Sequence, residues 1–233
     1  MTRNIRISMG GAQEDRTVLN AWLSKIAVAA CVSFAALGTA LSATPALAQT
    51  NFSAQDLADL ERVSEYLNGL GNLSGRFIQI SDTGGGFAEG DFYMSQRTRL
   101  RFEYDPPIPL IFISDGTFVG IANSELETTS QYPIAATPLR VLLRREVDLA
   151  ADAHVTSVER LPGQLRVVAT EDSGIAQGEL TLVFSDPGLE LRQWIIVDAH
   201  GRRTTIALRD VREVEDLPRA MFRFPRYESD IFE

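Results

Sequence analysis

Along residues 73 to 211 the apolar side chains recur at every second position, in short runs that turn residues keep interrupting. A period of two places alternate side chains on opposite faces of a strand. Arg99-Leu100-Arg101-Phe102-Glu103-Tyr104 is the cleanest example. Burying three unpaired charges costs far more than exposing three apolar groups, so Arg99, Arg101 and Glu103 take the solvent side. Leu100, Phe102 and Tyr104 then point inward, as alternation also aims Phe77 and Phe92.

The same period predicts strands over 75–80 and 87–94, with Ser81-Asp82-Thr83-Gly84-Gly85-Gly86 as a hairpin tip between them. Strands at 110–113 and 118–122 flank Asp115-Gly116, a strong hairpin signal. A short strand follows at 127–131. Further strands at 155–161 and 165–169 turn at Pro162-Gly163, and those at 178–184 and 191–197 turn at Asp186-Pro187-Gly188. Asp198-Ala199-His200-Gly201 leads into 204–211, and 221–224 adds a last edge strand. Helical spacing occurs twice. Ser53 is an N-cap with Asp56 three residues on, ahead of Leu57, Leu60, Val63, Leu67 and Leu70. Thr137-Pro138 reads as a second N-cap with proline at the first helical position, opening a short turn through Leu139, Leu142 and Leu143.

About ten short strands with two helices exclude a parallel α/β fold. The expectation is a mainly β domain: a strongly curved antiparallel sheet or partly open barrel, with helices laid across its mouth. Whether the inward face is a filled core or an emptied interior, alternation does not distinguish.

The first 48 residues follow another pattern. Arg3, Arg6, Arg16 and Lys25 precede an apolar stretch over 26–41, and Ala46-Leu47-Ala48 offers a small-x-small cleavage site before Gln49. These are the parts of a secretory signal peptide, and the apolar stretch is short for a membrane span of about 20 residues. Met9 is an alternative start. Domains are therefore expected at 1–48, a removed leader, and 49–233, a single domain of 185 residues. Val28-Ala29-Ala30-Cys31 resembles a lipobox, but too little apolar chain separates it from Lys25. Cys31 is the only cysteine, so the exported domain has no thiol, disulfide or cysteine metal site. The whole chain carries a net charge of −9; without the leader's four basic and two acidic residues it becomes −11. That balance argues against nucleic acid and against resting on an anionic membrane.

Nothing in the sequence reads as an active site. His154 and His200 are the only histidines. His200 falls in a hairpin turn beside Asp198, and His154 follows Asp152 without the spaced partners a metal needs. Gly84-Gly85-Gly86 lacks the lysine and helix of a phosphate loop, and no G-x-S-x-G occurs.

Eight pieces stand in order between about residues 73 and 225: Phe77-x-Gln79, Gly90-Asp91-Phe92, Leu100-Arg101-Phe102-x-Tyr104-x-x-Pro107, Ser114-Asp115-Gly116, Thr137-Pro138-Leu139-x-x-Leu142-Leu143, Leu180-x-Leu182-x-Phe184, Trp194-x-Ile196-x-Asp198-x-x-Gly201-x-x-Thr204 and Phe222-x-Phe224. Together they resemble the LolA family of periplasmic lipoprotein carriers. The family shows Arg-Pro-Gly before the Leu-Arg-Phe strand, where this chain has Gln96-Arg97-Thr98. Its pocket arginine thus falls on Gln96 by spacing or on Arg97 by identity.

The resemblance implies an incomplete β-barrel with helices lidding an apolar cavity for acyl chains. The lining it implies is Phe77, Phe92, Leu100, Phe102, Tyr104, Leu110, Phe112, Leu139, Leu142, Leu143 and Trp194. It implies a monomeric, non-enzymatic periplasmic chaperone without cofactor or metal. Its partners would be acylated lipoproteins as cargo, an inner-membrane lipoprotein-releasing ABC transporter, and an outer-membrane lipoprotein receptor. Other readings are that receptor itself, which needs a lipidated cysteine where Gln49 stands, a stress sensor of the same fold, which would carry a further domain, and a lipid hydrolase using His200.

Overall fold

The computed structural model describes residues 52–82, 86–95, 98–171 and 177–227. The leader with Cys31, Gln49 after it, Thr83, Gly84 and Gly85 of the hairpin tip, and both Gln96 and Arg97 lie outside these residues. Within them are one α-helix, α1 (Ala54–Gly69), and eleven strands. These are β1 (Leu73–Ser81), β2 (Gly86–Ser95), β3 (Arg99–Tyr104), β4 (Leu110–Asp115), β5 (Phe118–Asn123), β6 (Thr128–Pro133), β7 (Val155–Leu161), β8 (Gln164–Glu171), β9 (Gly178–Ser185), β10 (Leu191–Asp198) and β11 (Arg203–Glu213). All belong to one antiparallel sheet ordered β6-β5-β4-β3-β2-β1-β11-β10-β9-β8-β7. The sheet does not close. Its free edges, β6 and β7, are consecutive in the chain and are joined by residues 134–154.

The curvature is visible in one contact. Phe102 of β3 and Trp194 of β10 stand four strands apart in the order, yet their ring centroids are 5.8 Å apart. A flat sheet at about 4.8 Å per strand would separate them by roughly 19 Å. The sheet therefore wraps around its apolar face. Close approach needs small residues at the bend: a Cβ on Gly90 would lie 1.9 Å from the Glu103 carbonyl oxygen and 2.7 Å from the Phe77 ring.

Helix α1 crosses the concave side. Ser53 and Asp56 form the expected capping box, with the Asp56 amide donating to Ser53 Oγ at 3.1 Å and the Ser53 amide to Asp56 Oδ2 at 2.9 Å. Leu60, Val63 and Leu67 are fully buried, while Leu57 stays 43% exposed. Arg160 of β7 donates to both Asp56 (2.8 Å) and Asp59 (2.6 Å), fixing the helix to that edge.

Two sequence expectations need correction. Residues 221–224 do not form an edge strand. Arg219–Phe222 is a 3-10 turn, fixed where Arg101 donates to the Met221 carbonyl at 2.8 Å. It lies over the outer faces of β3 and β4. Phe222 is 1% exposed, and the Phe224 ring sits where a Cβ on Gly120 would meet it. The Phe-x-Phe spacing mimics a strand, but its role is to cover an apolar spot on the convex side, where Ile113 and Ala122 are also buried.

The second correction concerns Thr137. It stands before the 3-10 turn Pro138–Val141, with proline in first position as expected, but its side chain caps nothing there. Instead its hydroxyl donates back to the Ile134 carbonyl at 2.9 Å, closing the preceding turn Ile134–Ala136.

Candidate functional site

Strand register gathers the inward residues. Phe102 faces Phe92 on one side and Phe112 on the other. Trp194 faces Leu182 and Ile206. Phe102 is the hub of the resulting aromatic group, with ring centroids 4.9 Å from Phe77, 6.1 Å from Phe92, 5.7 Å from Phe112 and 5.8 Å from Trp194. Tyr104 packs edge-on against Phe77 and donates its hydroxyl to Gln79 at 2.6 Å. Burial pushes the Tyr104 phenol up to about 12, so it remains a neutral donor. Arg99, Arg101 and Glu103 take the other face, as alternation requires, and Arg101 pairs with Glu103.

Residues 134–149 roof this interior. Leu139, Val141, Leu142 and Leu143 are buried in the same apolar cluster as Phe77, Phe92, Leu100, Phe102 and Trp194. The leucines thus pack on the concave side. In this arrangement the interior is filled: Phe77, Phe92, Leu100 and Leu142 have no exposed surface. Alternation left open whether the face is packed or empty, and here it is packed.

Polar bonds hold the roof at identifiable points. The Asn68 carboxamide at the end of α1 donates to the Val147 carbonyl (2.8 Å) and accepts from its amide (3.0 Å). Ser64 Oγ accepts from the Leu149 amide at 3.0 Å. At the other end Arg140 pairs with Glu171 of β8, and Arg144 with Asp152 at 2.9 Å. His154 lies between the two carboxylates, with Nδ1 2.7 Å from Asp152 and Nε2 3.2 Å from Glu171. Burial alone would raise the Asp152 carboxyl, but hydrogen bonds from the backbone and ring of His154, with Arg144 nearby, hold it below its ordinary value of 3.8. His154, set aside in the sequence as a lone histidine, thus belongs to a latch. Neither Asn68 nor Glu171 carries a sequence signal for this role, because the contacts span 79 and 31 residues. His200 remains a turn residue whose amide donates to Asp198 at 2.8 Å.

Toward β4–β6 the covering thins. Phe112 and Tyr132 are only partly buried. Ile121, which faces Phe112 in the register, is 46% exposed. Ile121 is an inward residue that sequence reasoning missed; register alone shows that it shares the concave face. Leu110, expected in the lining, is half-buried opposite Asn123 at the far end of β4. Arg97 and Gln96, the candidates for a pocket arginine, lie outside the described residues. Among the described residues, no helix is long and apolar enough to cross a membrane.

A family model described as outer membrane lipoprotein carrier protein LolA matches residues 68–225. An outer-membrane lipoprotein carrier protein of Chromohalobacter salexigens is 27% identical over 173 residues, covering 70% of this chain and 81% of that protein. Among solved structures, a LolA superfamily protein from Nitrosomonas europaea is 9% identical with a TM-score of 0.39, covering 71% of this chain and 97% of the other. The lipoprotein LppX of Mycobacterium tuberculosis is 12% identical with a TM-score of 0.40, covering 71% of this chain and all of the other.

Proposed function

This chain belongs to the LolA family, and on that premise we propose that it is a periplasmic carrier for the acyl chains of lipoproteins. The exported form begins at Gln49, after the leader over 1–48 is removed. It receives cargo from an ATP-driven inner-membrane release transporter and delivers it to the outer membrane, to a lipoprotein receptor where one is present. It binds and does not catalyse, and the step requires no cofactor.

The observation that carries this reading is the roofed apolar interior with a thin side at Ile121. Each methylene moved out of water is worth about 0.8 kcal/mol, so a chain carrying several acyl groups does not leave a bilayer unaided. A soluble carrier has to present comparable apolar surface and still give it up. A permanently open cavity would expose that surface to water when empty. A filled interior whose roof is tied by a few polar bonds avoids this, because the leucines of 139–143 fill the space until acyl chains displace them. In this reading Phe77, Phe92, Leu100, Phe102, Tyr104, Phe112 and Trp194 form the acyl-facing wall, and Leu139, Leu142 and Leu143 the movable cover.

The test is release of a radiolabelled lipoprotein from inner-membrane spheroplasts by the purified protein, followed by native mass spectrometry of the product. A soluble one-to-one complex retaining the acylated cargo is expected. Release of the unacylated variant as efficiently as the acylated one would overturn the proposal.

A further inference from the structure

The apolar wall carries a hydrogen-bonding pair. Tyr104 of β3 donates its hydroxyl to Gln79 Oε1 of β1 at 2.6 Å, on the concave face. The strap Arg219–Phe222 covers the opposite, convex face. Register sets Gln79 between Ala88 of β2 and Ile206 of β11, both buried, and sets Tyr104 opposite Gly90. The small residues at 88 and 90 leave room for the two longer side chains to meet across β2. Phe77 lies two residues deeper on β1, with no exposed surface and its ring centroid 5.1 Å from that of Tyr104.

A tyrosine in such a wall needs one acceptor for its hydroxyl. Glutamine brings more than that. The pair owns three polar hydrogens, one on the phenol and two on the carboxamide, and their mutual bond uses one whichever way the carboxamide is turned. Among the described residues the other two meet no acceptor. Both side chains are half-buried, so these donors stand where the aromatic wall meets water. The pair also lies near one end of the sheet. Gln79 is two residues before the end of β1 at Ser81, which pairs with Thr204 beside the β10–β11 turn. At that same end Gly178 pairs with Asp198, and a Cβ on Gly178 would lie 3.5 Å from Pro138 Cγ in the roof.

We propose that Gln79 and Tyr104 bind the carbonyl at the head of an acyl chain. The protein then prefers chains in ester or amide linkage to plain alkyl chains. This inference rests on the carrier reading and adds a polar contact to its apolar wall. A carbonyl oxygen accepts and does not donate, which matches two surplus donors. Moved out of water without a partner, it would weaken binding. With the tail packed along Phe77, Phe102 and Phe92, the carbonyl falls at the rim, where the donors are. An amide linkage also offers an N–H, which the Tyr104 oxygen accepts.

The test titrates the purified exported protein with three probes: palmitoyl glycerol, its ether hexadecyl glycerol, and its amide palmitamido-propanediol. They differ only at the linkage, so the ratio of affinities within one protein isolates the carbonyl and cancels any general change in binding. One hydrogen bond should favour the ester or the amide over the ether by roughly threefold to tenfold. A larger gain for the amide marks an amide-linked chain as the ligand, and a larger gain for the ester marks an ester-linked one. In Gln79→Met/Tyr104→Phe the preference should vanish. Should that variant not fold, the side-chain amide signals of Gln79 in nitrogen-labelled wild-type protein carry the test, and they should shift more with the ester than with the ether. Equal shifts, an ether that binds as well as the other two probes, or a preference that survives in the folded double variant overturn the proposal alone. Failure of all three probes to bind saturably overturns the carrier reading together with it.

Discussion

Asn68 holds both backbone polar groups of Val147 with one carboxamide, joining the last turn of α1 to the roof across 79 residues of chain. Ser64, one turn earlier on the same helix, accepts from the Leu149 amide. Because Val147 and Leu149 are buried, losing either partner leaves a backbone group unsatisfied away from water. Asn68→Ala should cost about 1–2 kcal/mol and Ser64→Ala a similar amount. Amide exchange at Val147 and Leu149 should accelerate more than exchange in β1 or β11. Uniform acceleration throughout the sheet would mean the roof does not open as a unit.

Phe102 touches four aromatic rings and is 4% exposed. With the interior filled, Phe102→Ala empties a packed site and should cost about 3–5 kcal/mol in denaturant unfolding. Acyl-probe affinity should fall as well. Unchanged probe affinity in the folded mutant would remove this face from the acyl-facing wall.

Ile121 provides the opposite case. Nearly half exposed, it contributes little to folding, so Ile121→Ser should shift stability by no more than about 0.5 kcal/mol. Uptake of a fluorescent acyl probe through the thin side should nevertheless slow. Stopped-flow mixing at equal protein concentration reads this directly, and an unchanged rate would place entry elsewhere.

Acid should loosen the latch. The Asp152 carboxyl titrates below its ordinary 3.8, so its charged form is favoured by the fold. A depressed carboxyl contributes stability that is complete above the unfolded value and is lost as pH falls through the folded one. Stability measured downward from about pH 5 should therefore decline partly through Asp152, and Asp152→Asn should flatten that part of the curve. Parallel curves for the two proteins would show that the Arg144 and His154 contacts have no net effect.

The strap on the convex side separates folding from binding. Phe222→Ala should cost about 3–5 kcal/mol although the residue lies far from the acyl-facing wall. Probe affinity per folded molecule should stay unchanged. A selective loss of binding in this variant would connect the two faces.

How much of this was legible in the sequence depended on range. The strand over Arg99–Tyr104 and its inward face follow from alternation alone, because charge burial decides the orientation locally. The capping box at Ser53 and Asp56 is likewise contained within four residues. Residues 221–224 read as a strand because Phe-x-Phe looks the same whether it pairs in a ladder or plugs a surface. Only the distant Ile113 and Gly120 on the sheet's outer face distinguish the two. The inward aim of Ile121 needed the register with Phe112, and the latch needed Glu171 and Asp152 to meet His154. No local pattern encodes such meetings.

The two free edges of the sheet are also the two ends of the roof. Because β6 leads directly into residues 134–154 and these into β7, the seam of the barrel is spanned by a tether, where a closed barrel would have a hydrogen-bonded ladder. Widening the interior therefore breaks no strand pairing. The sheet can uncurl at the seam as a cuff opens at its fastening, with the ten antiparallel ladders intact. For the acyl cargo proposed above, resistance would come from side-chain contacts and a few polar fastenings, so capacity would vary with the bulk of the cargo while the backbone framework stays the same.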